Sequence, residues 1–245
     1  MRLKLIACEI FFREINFVVS FSPHAVDVEF LGKGLHDLGK DGMFNNLSAA
    51  LERVESDKYD AVLLGYGLCN GGVVGLRAKK IPIVIPRVHD CITLFMGDRK
   101  KYAEYFAKNE GVYFQTTGWI ERGGELTQKT PDSITTKLGV NLSKNELIER
   151  YGKKNAEFLR QKLDGLKHYS KITFIEMGIE PDDSFENIAK LDAQKKQIMF
   201  EKIKGDLILL KNLVNGNWNK EDFLIIKPNA KIIHSYNENI IETQE

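Results

Sequence analysis

The chain has 245 residues, 43% of them apolar, enough to bury one large core or two small ones and too many for a disordered polypeptide. Its 35 basic and 34 acidic residues leave a net charge of +1, which removes the broad positive field that binding to nucleic acid or an anionic membrane relies on. No apolar run approaches the roughly 18 to 20 residues of a membrane span, and charged residues interrupt MRLKLIACEIFFRE where a signal peptide would continue, so a cytoplasmic protein with no membrane partner is expected.

In chain order, short apolar runs alternate with helical patterns, the signature of a parallel sheet covered by helices. Strands are expected at Leu3 to Ala7, Val26 to Leu31, Tyr59 to Leu64, Pro82 to Ile85 and Gly111 to Gln115. Between them, Asn45 to Glu55 carries Leu47, Ala50, Leu51 and Val54 at helical spacing, and Gly72 to Lys79 and Arg99 to Lys108 read as further helices. These five strands would make one doubly wound, Rossmann-like sheet. After Trp119 the segment ERGGELTQKTPDSITTKLG is polar and aperiodic, reads as a long connection, and sets an expected boundary between a domain at 1–120 and a smaller unit at 121–245. That second unit is expected to hold a helix near Lys144 to Lys167, a strand at Lys171 to Glu176, a long helix at Ser184 to Lys204, and strands at Asp206 to Leu210 and Phe223 to Ile226. The expected fold class is therefore α/β, a parallel sheet with helices on both faces and a second α/β unit facing it across a cleft.

The three cysteines, Cys8 in IACEI, Cys69 in LGYGLCNGG and Cys91 in PRVHDC, each follow an expected strand. Parallel sheets bind ligands at the carboxyl ends of their strands, so the sulfurs are expected to meet at one site. An odd number of widely spaced cysteines does not suggest a disulfide framework. Any one of them alone would read as a small apolar side chain; three strand exits together point to a shared metal or thiol centre. Two forms are open: a 4Fe-4S cluster with three cysteine ligands and one iron facing substrate, or zinc held by the thiolates with His89 as fourth ligand.

Around the cysteines, Glu9, His89 and Asp90 are candidate acid–base groups, and Arg87 is a candidate anchor for an anionic substrate through its planar fork. Gly67, with Gly65, Gly71 and Gly72, would let backbone amides approach an anion or a cluster's sulfides, and the TTGW turn offers Thr117 and Trp119 to orient an organic substrate. A metal-free pairing of His89 with Cys91 is the weaker possibility, because residues i and i+2 at a strand end point to opposite sides.

Taken together, ACEIFFREI, LGYGLCNGG, PRVHDCITLFMG and the TTGW turn resemble the domain-of-unknown-function family 1638. The resemblance implies a protein of anaerobic bacteria and archaea, in a group associated with one-carbon and corrinoid methyl metabolism, with a corrinoid or methyltransferase partner. In outline the arrangement is similar to dehydratases and desulfidases that hold a cluster through three cysteines. The leading expectation is a metal-dependent enzyme acting on a small molecule; the alternative is a non-catalytic protein that binds and delivers a metal, a corrinoid or a small anion.

Overall fold

The computed structural model describes residues 1–123, 144–157 and 169–245. Most of the connection expected after Trp119 and the far end of the helix expected near Lys144 to Lys167 lie outside the described residues; within them the helix α6 covers Lys144–Tyr151.

The first sheet starts from β1 (Arg2–Cys8), whose alternation sends Leu3, Leu5 and Ala7 into one core and Ile6 into another. Beside it lie β2 (Ala25–Leu31) and β3 (Ala61–Gly65), both parallel to β1, and β4 (Ile83–Pro86), parallel to β3. On one face α1 (Phe12–Ser20) buries Ile15 and Val18; on the other, α2 (Gly39–Glu52) buries Met43, Leu47 and Ala50. Two helices follow β4: α3 (Cys91–Met96) and α4 (Arg99–Lys108), the latter with the bounds its sequence pattern predicts.

The expected single sheet of five strands is corrected here. The fifth strand, β5 (Val112–Gln115), pairs in parallel with β6 (Lys171–Glu176), which pairs in turn with β7 (Met199–Lys204), forming a separate three-stranded sheet. The fifth place in the first sheet goes to β8 (Phe223–Ile226), antiparallel to β4, so the sheet is mixed and ordered β2-β1-β3-β4-β8. A hairpin of β9 (Lys231–His234) and β10 (Ile241–Gln244) completes the strands. The two sheets share a core, since Ile175 is buried in the cluster that holds Leu5 and Leu63, and Phe114 and Ile203 pack against it. The other face of the second sheet buries Tyr113, Ile172 and Phe174 with Ala189 and Ala193.

Three further expectations fail for local reasons. Gly72 to Lys79 is not a helix: Gly71 and Gly75 have positive φ, and Arg77 bridges to Lys231. The long helix expected to reach Lys204 ends at Lys196 as α7 (Ser184–Lys196), because Gln197 turns left-handed at φ 56° and the following residues enter β7. The strand expected at Asp206 to Leu210 is instead the start of α8 (Ile208–Val214), where Leu209, Leu210, Leu213 and Val214 are buried at helical spacing.

Candidate functional site at the carboxyl edge of the first sheet

The strand order fixes where a ligand can enter. From β1 the chain moves outward to β2, then crosses back to β3 on the other side of β1, so the order reverses between β1 and β3. In doubly wound sheets the helices on the two sides diverge at such a reversal, and ligands bind outside the carboxyl ends of the strands. Cys8 ends β1, Cys69 lies four residues past β3, and Cys91 opens α3 five residues past β4. The three cysteines thus come from three adjacent strands.

Electrostatic coupling shows the same convergence. Ionising Cys8 would push the Cys69 thiol higher, and ionising Cys69 or Cys8 would push the Cys91 thiol higher. Burial is the main influence on each: it pushes Cys8 up to about 11, Cys69 up to about 12, and Cys91 well above the ordinary thiol range. Each cysteine residue nevertheless keeps part of its surface open to solvent. Free of metal, the thiols are protonated at neutral pH, which argues against the metal-free His89–Cys91 nucleophile. Among the described residues, no group of three histidine, cysteine, aspartate or glutamate side chains is gathered closely enough to hold a metal ion as it stands.

The loop carrying Cys69 is strained. Cys69 and Asn70 have φ of 42° and 58°, followed by Gly71 at 80°. Left-handed backbone costs a non-glycine residue roughly 1–2 kcal/mol, and such strain collects at functional sites. The Cys69 amide donates to the His89 carbonyl at 3.0 Å and the Leu68 amide to the Val88 carbonyl at 2.8 Å, locking this loop against the one after β4. Gly67 permits that contact: a Cβ there would lie 2.8 Å from the Val88 oxygen and 3.0 Å from the Asp90 nitrogen. Of the glycine amides expected to face an anion, those of Gly71 and Gly72 donate instead to the Leu68 and Cys69 carbonyls at 2.9 Å and 3.1 Å.

Tyr66 lies in the LGYGLCNGG motif, where sequence reading assigned it no role of its own. Because Ala7 pairs with Gly65, the residues that follow, Cys8 and Tyr66, leave the sheet side by side. The Tyr66 ring is buried, its hydroxyl has no hydrogen-bond partner, and after burial itself the strongest influences on the phenol are Cys8 and Cys69. A buried hydroxyl left unpaired costs about 1–3 kcal/mol, so it marks a place where a ligand atom would be stabilised.

Glu9 accepts from the Lys33 amide at 2.8 Å and stands 3.9 Å from Arg122. Lys33 is buried, donates to the Gly123 carbonyl at 2.5 Å, and sits 4.6 Å above the Trp119 ring. Sequence reading missed Lys33 because one lysine after a strand forms no pattern. The TTGW turn reaches the site although its strand belongs to the other sheet: a Cβ on Gly118 would fall 1.8 Å from the Ile10 carbonyl oxygen, so this turn abuts the residues just after Cys8. Thr117 is buried with an unpaired hydroxyl, and Trp119 donates its indole N–H to Tyr113 at 2.9 Å.

Two of the candidates, Asp90 and Arg87, have other partners. Asp90 caps α3, accepting from the Thr93 amide and hydroxyl at 2.9 Å each, and also accepts from the Tyr102 hydroxyl at 2.9 Å. Replacing Asp90 by alanine is expected to lower stability by about 1–2 kcal/mol, with Asn recovering part of it as a neutral cap; urea denaturation measures both. Arg87 donates to the backbone carbonyls of Phe223, Asn239 and Ile241, clamping the carboxy-terminal strands rather than presenting its fork to the cysteines. His89 is exposed, and its side chain lines a cavity in whose lining no cysteine takes part.

One turn beyond the Cys8 segment, Glu14 is fully buried and both its carboxyl oxygens lack a partner. Burial pushes this carboxyl up to about 7 from an ordinary 4.5, with Glu180 and Glu121 adding repulsion and Arg13 opposing them. The folded state therefore holds a proton that the unfolded chain releases, and the associated stability is full below 4.5 and lost as pH rises through 7. Glu14→Gln is expected to gain about 2 kcal/mol relative to the parent chain between pH 5 and pH 8; thermal denaturation at the two pH values reads this difference directly.

Comparison with known families adds one result. The model of a family described as a protein of unknown function (DUF1638) matches residues 30–214. The chain belongs to that family. The DUF1638 match contains Cys69, Cys91 and the TTGW turn, and it begins after Cys8 and the ACEIFFREI segment. No curated protein and no solved structure matches the chain. Among the described residues, no helix is long and apolar enough to cross a membrane.

Proposed function

We propose that the chain is a metal-dependent enzyme that holds an iron–sulfur cluster through Cys8, Cys69 and Cys91 and acts on a small molecule beside them. The observation that carries the reading is the delivery of three cysteines from three adjacent strands to the carboxyl edge where the strand order reverses. Strain at Cys69 and the unpaired Tyr66 hydroxyl support it. A cluster fits better than zinc: a single zinc needs every donor about 2.3 Å from one point, and the described side chains form no such group. A 4Fe-4S cluster takes each thiolate on a different iron and so asks for sulfurs farther apart.

When bound, such a cluster would supply a Lewis-acid or sulfur-binding position at its open iron. The chain's own groups would do the rest. Tyr66 would donate a hydrogen bond at the site, Lys33 would favour negative charge beside Cys8, Glu9 would hold the β1 and β2 exits in register, and Thr117 would present a hydroxyl from the TTGW turn. A cytoplasmic protein of anaerobic one-carbon or sulfur metabolism is consistent with this chemistry.

A second reading is a non-catalytic protein that delivers a metal, a corrinoid or a small anion to a partner such as a methyltransferase. It is favoured by the commitment of Asp90 and Arg87 to structural bonds. Protein prepared without oxygen is expected to show the broad visible absorption of an iron–sulfur centre, with iron and acid-labile sulfide in equal amounts. Zinc without sulfide would point to the thiolate–zinc form, and protein with neither would contradict the proposal. Transfer of the bound group to an acceptor protein without turnover of any small molecule would select the delivery reading.

A further inference from the structure

We propose that a second site, the cavity between α4 and the carboxy-terminal segment, binds an organic cation with an apolar or aromatic body. The cavity is about 850 Å³, a volume within the range of roughly 300–1,000 Å³ that suits small ligands.

Charge selects the ligand's sign. Asp98, Glu221, Asp222 and Glu238 line the cavity against Arg99 and Lys100, four carboxylates to two cations, a net of −2 with His89 neutral, in a chain whose total is +1. The bonds these groups make do not neutralise one another. Arg99 donates to the backbone carbonyls of Glu238 and Glu221, Asp98 accepts from amides at the start of α4, and Asp222 accepts from the Asn219 amide group. Among the described residues, no cation pairs with the Glu221 or Glu238 carboxylate.

The walls select the ligand's body. Tyr102 and Phe106 stack with centroids 5.8 Å apart and planes 27° from parallel, and Ala103 and Ala107 keep the adjoining wall of α4 low. Phe106 lines the cavity and is 53% exposed, so packing leaves much of the residue accessible. Aromatic rings attract cations through their negative faces, most strongly for quaternary ammonium groups whose hydration is weak. An anion would meet the opposite field, and a neutral ligand would gain only the apolar wall. Tyr102 also ties the site to α3: its hydroxyl donates to Asp90 at the cap of that helix, which begins with Cys91.

The test uses three probes of one shape and different charge: benzyltrimethylammonium, benzyl alcohol and benzoate, each titrated into the full chain at low salt and followed by chemical shifts of aromatic and α4 resonances. Benzyltrimethylammonium is expected to saturate with an affinity at least tenfold above benzyl alcohol, with benzoate weakest. Phe106→Ala, and the pair Glu221→Gln with Glu238→Gln, should each weaken the cation about fivefold or more without changing the melting temperature, while the pair leaves benzyl alcohol unaffected. Equal affinities for the three probes, tightest binding by benzoate, no saturable shift, or cation binding unchanged in both variants would overturn the proposal. Because no cysteine lines the cavity, Cys91→Ser protein should bind the cation as well as the parent does, which keeps this outcome separate from that of the cluster.

Discussion

Gly118→Ala is expected to destabilise the chain by about 3 kcal/mol or more. The added methyl would sit 1.8 Å from the Ile10 carbonyl oxygen and 2.8 Å from its carbon, and both are backbone atoms with no rotamer to yield. Relief requires α5 (Thr117–Glu121), which follows β5 of the second sheet, to withdraw from the turn that follows β1 of the first. The contrast is Gly123→Ala, where a Cβ meets nothing within 4 Å; the φ of +85° there limits the loss to the cost of a left-handed alanine, about 1–2 kcal/mol. Chemical denaturation of the two variants measures the difference. Equal losses would mean that the close approach of the TTGW turn to Ile10 does not hold the two segments together.

If the proposed cluster is bound, removing it is expected to loosen the loop from Tyr66 to Gly72 and leave the sheet intact. In that loop Cys69 and Asn70 are left-handed, the Tyr66 hydroxyl is unpaired, and the Cys69 amide depends on one bond to His89. A bound group that pairs with the sulfurs and the phenol offsets these costs, and binding free energy of that kind is folding free energy for the segment it orders. Amides of Cys69, Gly71 and Gly72 should exchange at least tenfold faster in protein stripped by chelator and oxidant, a change of about 1.4 kcal/mol in local opening. The β1 and β3 amides should not change. Uniform acceleration across the sheet would show instead that the group stabilises the whole fold, and no acceleration would show that the loop's geometry is self-sufficient.

Much of the site was legible because its signals are local. A glycine-rich turn after a buried strand, a proline-ended strand before HDC, and a cysteine after LKLIA each announce a strand exit, and α4 is bounded by Asp98, which accepts from the amides of Lys100 and Lys101. What sequence could not supply is pairing. β5 looks like a fifth strand of the first sheet, yet it hydrogen-bonds to β6, some 60 residues farther on. β8 takes the vacant edge by running antiparallel, and short apolar runs such as DLILL fit helix and strand equally well until their burial is known. The same limit explains Tyr66, Lys33 and Glu14: their importance lies in what surrounds them, an unpaired hydroxyl, a ring beneath an ammonium and a carboxyl without a partner. It also explains Arg87 and Asp90, whose composition suggested chemistry and whose partners are carbonyls, amides and hydroxyls that hold loops in place.

The most direct check of a shared sulfur site is metal and sulfide content in three single variants, Cys8→Ser, Cys69→Ser and Cys91→Ser, each prepared without oxygen beside the parent chain. All three should stay folded, since the exchange is small and the positions are partly open to solvent, and each should lose most of its iron and sulfide together. Parent-level metal in any one of the three would remove that cysteine from the centre, and parent-level metal in all three would show that these sulfurs do not serve a common ion or cluster.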